Sequence, residues 1–253
     1  MTDPSIPDPA SDSASDPASE EEGVVQFGYT LTPGPGAPLH PDLLAWRELL
    51  MRQDLIGQDP SRYDGYSFGN LSARLAPTNL GAKATSNSAD GLFIVSASQA
   101  AHRDHNDPAT WTTVDTVNLG RFWLEARGEL PPSSESMTHA MIYAAEPNAQ
   151  FVFHAHCPEI WNNADALLLP STPADVPYGS PQMSQAVIDL LAANMSRPLV
   201  FTTRGHTDGV FALGPTARDT GGLLTSYLAR ALTLEASQHT KKATRTAAQG
   251  SPA

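Results

Sequence analysis

The sequence is poor in the features that define several large classes of protein. It has one cysteine, Cys157, in 253 residues, so no internal disulfide can form, and the chain suits a reducing compartment, the cytoplasm. No run of about 18 uncharged apolar residues occurs, which argues against a membrane partner or a helical span. Basic residues are scarce: 15 Lys plus Arg stand against 27 Asp plus Glu, a formal charge of −12. No basic patch of the kind nucleic-acid binders carry is visible, so no nucleic-acid partner is expected. Asp3, Asp8, Asp12, Asp16, Glu20, Glu21 and Glu22 crowd the start of the chain, which leaves the remainder only mildly acidic. That charge favours solubility and names no partner. The same N-terminal stretch has neither the basic start nor the apolar centre of a secretion signal.

What is present is a core. Forty per cent of the residues are hydrophobic, enough for one domain of ordinary to large size. Residues 1–23, rich in Asp, Ser, Pro and Glu, are expected to be a disordered acidic tail, and residues 240–253 a second disordered tail. The domain is placed at 38–236. Within it, HPDLLAWRELLMRQDLIG has helical recurrence, with Pro41 near its first turn. SFGNLSARLA and GLFIVSAS read as two strands joined by polar PTNLGAKATSNSAD. SSESMTHAMIYAAE reads as a helix with Glu135 in its first turn, followed by the strand FVFHAHC and the helix PQMSQAVIDLLAANM. The strands RPLVFTTRGH and DGVFALG and a long helix from TARDTGG close the domain. The expectation is an α/β fold with three α/β/α layers and a mixed, mainly antiparallel sheet.

The chemistry begins at His154 and His156. Alternate residues of a strand share a face, so these two imidazoles sit roughly 6.6–6.8 Å apart along the chain and can converge on one ion. Taken alone, the pair is weak evidence, and two core or rim histidines bonded to neighbours are the commoner explanation. His206, at the end of another apolar strand, offers a third imidazole, and Glu135 a carboxylate. Such a set suits zinc, and also iron or manganese, with a position left for substrate.

GNLSAR, FIVSAS, PPSSE, VFHAH and RGHTDGVFALG, in that order over roughly residues 40–235, resemble the class II aldolase/adducin family. In its sugar-phosphate aldolases, three histidines hold zinc and a glutamate doubles as ligand and base. The resemblance therefore implies metal ligands at His154, His156, His206 and Glu135, with Glu135 as the catalytic acid/base. It implies a substrate cradle at Ser67, Phe68, Gly69 and Asn70, at Ser98 and Gln99, and at Ser133 and Ser134. It further implies a metal-dependent carbon–carbon lyase acting on a small hydroxy- or oxo-carbonyl compound through a metal-stabilised enediolate. Epimerisation or decarboxylation by the same intermediate, an iron oxygenase, and a non-catalytic adducin-like assembly module are the alternatives. A homo-oligomer, often a tetramer in this family, is implied too.

Three positions depart from the family pattern. Ser98-Gln99 replaces a Thr-Gly turn, placing a bulky amide where the phosphate pocket needs room. The segment WNNADALLLPSTPADVPYGSP is too short for the family's catalytic tyrosine, with Tyr178 close to the next helix. Leu234 takes the place of a second tyrosine. Asp208 either orients His206 or is a turn residue. Arg204 either binds a substrate carboxylate or makes a structural ion pair. His102, His105 and His139 are expected to serve other purposes, Cys157 to be a small buried hydrophobe, and Trp161 to shield the site or pack on a neighbour.

Overall fold

The computed structural model describes residues 24–75, 83–85, 92–104, 106–194, 196 and 198–249. Helix α1 (Pro41–Arg52) starts where Pro41 fixes the first turn and the His40 ring accepts from the Asp42 N–H. It buries Leu43, Arg47 and Leu50 on one face. Strands β1 (Gly28–Thr32), β4 (Asn70–Arg74), β5 (Lys83–Thr85), β6 (Phe93–Ser96), β7 (Trp111–Asn118) and β8 (Trp123–Arg127) belong to one sheet. It is completed by β9 (Phe151–His156), β10 (Leu199–Thr202) and β11 (Gly209–Gly214). A small ribbon, β2 (Gly57–Gln58) with β3 (Ser67–Phe68), stands apart. The remaining helices are α2 (Ser136–Ala145), α3 (Pro158–Asn162), α4 (Pro181–Ala193) and α5 (Ala217–Gln249).

The sheet runs β1-β8-β7-β6-β4-β9-β11-β10, with β5 on β7. Among the described pairs only β1–β8 is parallel. Strand alternation divides the core in two. Val152, Phe93 and Val95 face α2 and α4, packing with Met137, Ile142, Met183 and Val187. Phe151, Phe153 and Ile94 face α1, α3 and α5, packing with Leu43, Leu50, Ile160 and Leu224. This is the expected α/β arrangement of a mixed, mainly antiparallel sheet between helical layers.

Two findings differ from the sequence reading. β7, WTTVDTVN, and β8 were not anticipated, because the many threonines of β7 read as polar. Their hydroxyls are bonded inside: Thr112 Oγ1 donates to the Leu130 carbonyl at 2.8 Å, and Thr113 Oγ1 accepts from the Ala37 N–H at 2.7 Å. The C-terminal boundary at 240 is also corrected, since α5 continues to Gln249. The stretch KKATRTAAQ is built largely from good helix formers, which extend an existing helix without needing a core of their own. The N-terminal tail, residues 1–23, lies outside the described residues, as do His105 and most of the connector 77–90. No helix among the described residues is long and apolar enough to cross a membrane.

α1 meets α5 at Gly221, where a Cβ would come within 2.2 Å of the Trp46 ring. Helix propensity alone favours Ala over Gly by about 1 kcal/mol. Overpacking against an indole wedged between two helices costs about 1–3 kcal/mol and wins. Gly221→Ala is therefore expected to lower stability, read as a lower denaturant midpoint; an unchanged or raised midpoint contradicts this packing.

Candidate metal centre and active site

β9 lies near the middle of the sheet, between β4 and β11, and carries His154 and His156 on its α2/α4 face. Both are fully buried. The His154 ring stacks on Phe211, with centroids 4.3 Å apart. Its Nδ1 lies 3.3 Å from the Val210 carbonyl oxygen. A carbonyl only accepts, so Nδ1 carries the proton and Nε2 keeps its lone pair. That Nε2 is buried and has no hydrogen-bond partner. His206 reaches the same point from the turn between β10 and β11, which closes through His206 N–H to Thr203 O and Gly209 N–H to His206 O. Gly205 lets this turn touch another segment, for a Cβ there would meet the Val176 carbonyl.

One donor atom from each of His154, His156 and His206 falls within 4.8 Å of the others. Burial penalises the cation, pushing His154 down to about 3 and His156 well below its ordinary 6.5. Neutral imidazoles are what a divalent ion requires, so the residues fit a metal.

Glu135 stands beside this cluster. It occupies the cap position before α2, outside the first turn where the sequence reading put it, and makes no capping bond. Its side chain turns inward because better partners lie there. Oε1 is 3.2 Å from His206 Nδ1, and Thr138 Oγ1 donates to Oε2 at 2.6 Å. Burial would raise its carboxyl, but the adjacent His206 Nδ1 and the fields of His154 and His206 outweigh that and hold it at about 2. Glu135 thus stands against the His206 ring and is not one of the three clustered donors, and a carboxylate so placed can orient an imidazole.

The expected substrate residues line one cleft: Ser67, Gly69, Asn70, Ser98, Gln99, Ser133 and Ser134, with Phe68. Asn70 pairs with His154 across the β4–β9 ladder, which sets the cleft against the histidines. Gly69 has φ +70, and a Cβ there would meet Ile56 at 2.5 Å and the His154 carbonyl at 3.0 Å. Only glycine fits that close approach. Gln99 takes φ +53, and its Oε1 accepts from the Ser67 N–H at 2.9 Å. The amide therefore folds into the cradle and occupies one of its backbone donors.

A model of the Class II Aldolase and Adducin N-terminal domain matches residues 60–227. The chain belongs to that family. The fold is similar to that of L-fuculose-1-phosphate aldolase from Thermus thermophilus, at 20% identity and TM-score 0.52, covering 80% of this chain and 96% of that one. A sugar-phosphate aldolase from Thermotoga maritima is similar at 15% identity and TM-score 0.52, covering 77% and 94%. An L-fuculose 1-phosphate aldolase matches at 15% identity and TM-score 0.51, covering 84% and 87%. No curated protein sequence matches.

Several residues around this class II aldolase-type centre behave differently from expectation. Tyr178, set aside in the sequence reading, is buried with its ring 4.2 Å from that of His206. Tyr63, from a segment given no role, lies 4.6 Å from the His156 ring and donates to Asp208 at 2.8 Å. Asp208 thus answers to Tyr63, and His206 takes its orientation from Glu135. Proximity in the fold, carried by no motif, placed both tyrosines. Arg204 is structural, donating to the Trp161 carbonyl at 2.9 Å, pairing with Asp165 and lying over the Trp161 ring. Trp161 packs there and donates to Thr203 O. Cys157 is buried in the α1/α5 core, and Leu234 packs on the same cluster. His102 is exposed. His139 is fully buried, 2.6 Å from Ser72 Oγ, which lies 2.7 Å from Tyr143 OH.

Burial holds His139 at about 4 as well as His154 at about 3. Their unfolded counterparts titrate near 6.5, so as pH falls below that value the unfolded chain takes up protons that the folded chain refuses. Stability of the metal-free protein is expected to be full above pH 6.5 and to fall toward pH 4. Each such histidine contributes a slope of about 1.4 kcal/mol per pH unit. Denaturant unfolding at pH 7, 6 and 5 measures this, and a flat profile contradicts it.

Proposed function

We propose that this protein is a metal-dependent carbon–carbon lyase of class II aldolase type, acting on a small hydroxy- or oxo-carbonyl compound. The observation that carries the reading is the buried cluster of His154, His156 and His206 with the Glu135 carboxylate 3.2 Å from His206 Nδ1. Family membership supports it, and the aldolase activities of the similar structures point the same way. His154, His156 and His206 would hold the ion, with zinc the first choice from three imidazoles and iron or manganese compatible. The ion supplies Lewis-acid polarisation of a substrate oxygen.

The chain supplies the rest. Glu135, ionised and anchored by Thr138, is the base that takes a proton from, and returns it to, the substrate. Asn70, with a buried Oδ1 lacking a partner, and Ser133 are placed to hold the substrate's polar groups in the cleft. Tyr178 and Tyr63, against the ligand rings, help close the centre against water. The same groups serve proton transfer in an epimerase or decarboxylase, so the reaction is read from product analysis. The working form is proposed to be a homo-oligomer in the cytoplasm; a monomeric mass by light scattering contradicts the first part.

Metal analysis of purified protein loaded with zinc and desalted is expected to give about one ion per chain for wild type. His154→Ala should hold at least ten-fold less, and Glu135→Gln should keep most of the metal while losing at least a hundred-fold in cleavage of hydroxy-carbonyl compounds. The proposal fails if wild type holds no ion or if His154→Ala holds it equally well.

A further inference from the structure

Arg47 is a charged residue with no part in the chemistry so far. It lies on α1 at 3% exposure, an unusual depth for a guanidinium. Nη2 donates to the Ala100 carbonyl at 3.1 Å and to the Ala101 carbonyl at 3.4 Å, which fixes the side chain in place. Nη1 is buried and has no hydrogen-bond partner. Arg47 makes no ion pair among the described residues; Glu48 and Asp104 act on it through their fields alone. It lines the cleft that holds Ser67, Asn70, Ser98, Gln99, Ser133 and Ser134, and it is the one charged residue among the described residues that do so. A buried charged donor without a partner is costly, and a ligand that supplies one removes the cost.

We propose that Arg47 receives a carboxylate of the substrate through Nη1, in the cleft that it lines. This rests on the lyase reading above and specifies the substrate class, a carbonyl or hydroxy compound that carries a carboxylate in place of a phosphate. Two features favour carboxylate. Gln99 Oε1 occupies the Ser67 N–H, so the cradle has lost a backbone donor that a three-oxygen phosphate would use. What remains is one guanidinium nitrogen with neighbouring hydroxyls such as Ser67 Oγ, which has no partner either, and this matches a singly charged group of two oxygens. The carbonyl bonds from Nη2 hold the guanidinium so that little ordering is left for binding.

The test is calorimetric titration of the full-length, zinc-loaded protein with L-lactate, L-malate and glycerol 3-phosphate. Lactate offers the hydroxy-acid head alone, malate adds a second carboxylate, and glycerol 3-phosphate presents phosphate. Malate is expected to bind about ten-fold more tightly than lactate, with glycerol 3-phosphate no tighter than lactate. Arg47→Met should bring malate to within about two-fold of lactate at unchanged zinc content. Gln99→Glu keeps an acceptor for the Ser67 N–H but adds a negative charge to the cleft, and it should abolish the malate preference too. It decides the question alone if Arg47→Met does not fold.

Equal binding of malate and lactate by wild type, or a malate preference that survives these substitutions, overturns the assignment. Preferential binding of glycerol 3-phosphate that is lost in Arg47→Met makes the ligand a phosphate and overturns the carboxylate. Zinc is measured on the same samples. A chain that holds no metal therefore overturns the lyase reading, whereas a loaded chain without malate preference overturns only the role of Arg47.

Discussion

The site depends on keeping imidazoles neutral in the middle of a packed sheet. His154 is stacked on Phe211, tied to the Val210 carbonyl and shut off from water, so its cationic form is strongly disfavoured. That one constraint selects the tautomer, fixes the ring and leaves a lone pair on Nε2. A surface histidine would need to lose a competing proton and settle into a rotamer before binding an ion. Here both requirements are met by packing, so the rigid sheet supports the chemistry directly. The cost is a buried polar atom with no partner of its own, and a bound ion would remove it.

From that centre the roles of neighbouring elements follow. The antiparallel registers of β4–β9 and β9–β11 bring Asn70 and Gly209 beside the two β9 histidines. Gly69 and Gly205 let backbone approach where a Cβ would collide. The Glu135 carboxylate gives up a cap on α2 for His206 and Thr138, a trade that makes sense only if orientation of His206 matters more than a capping bond worth about 1 kcal/mol. The buried chain of His139, Ser72 and Tyr143 continues the polar layer behind β4. His139 itself lies outside the cluster of three donor histidines.

Much of this was legible in the sequence, and the parts that were not have a common cause. Strand periodicity and the two-residue spacing placed His154 and His156 on one face, His206 and Glu135 stood out as a third imidazole and a carboxylate, and the ordered motifs then pointed to the family. The α/β class followed from alternating helix and strand patterns. β7 was missed because buried threonine hydroxyls bond to loops distant in sequence, which no local pattern reveals. Tyr63 and Tyr178 were missed for the same reason: their importance lies in ring contacts made by chain segments remote from the histidines. The tail boundary at 240 failed because low hydrophobicity indicates the absence of a core, and helix propagation from α5 does not need one.

If Arg47 takes a carboxylate as proposed, Gln99 and Arg47 would change the ligand of a family scaffold without moving its histidine cluster. The histidines of β9 sit on a strand whose register is locked by pairing on both sides, so substitution there is costly. The cradle is built from turns and from one face of α1, where a side chain can be exchanged with little effect on the sheet. A glutamine at a left-handed turn position fills space and caps an amide; an arginine on the buried face of the helix adds a charge. The two residues act on opposite properties of one cleft, the number of neutral donors and the net charge. On the carboxylate proposal the two together would set its preference while leaving the histidine end unchanged.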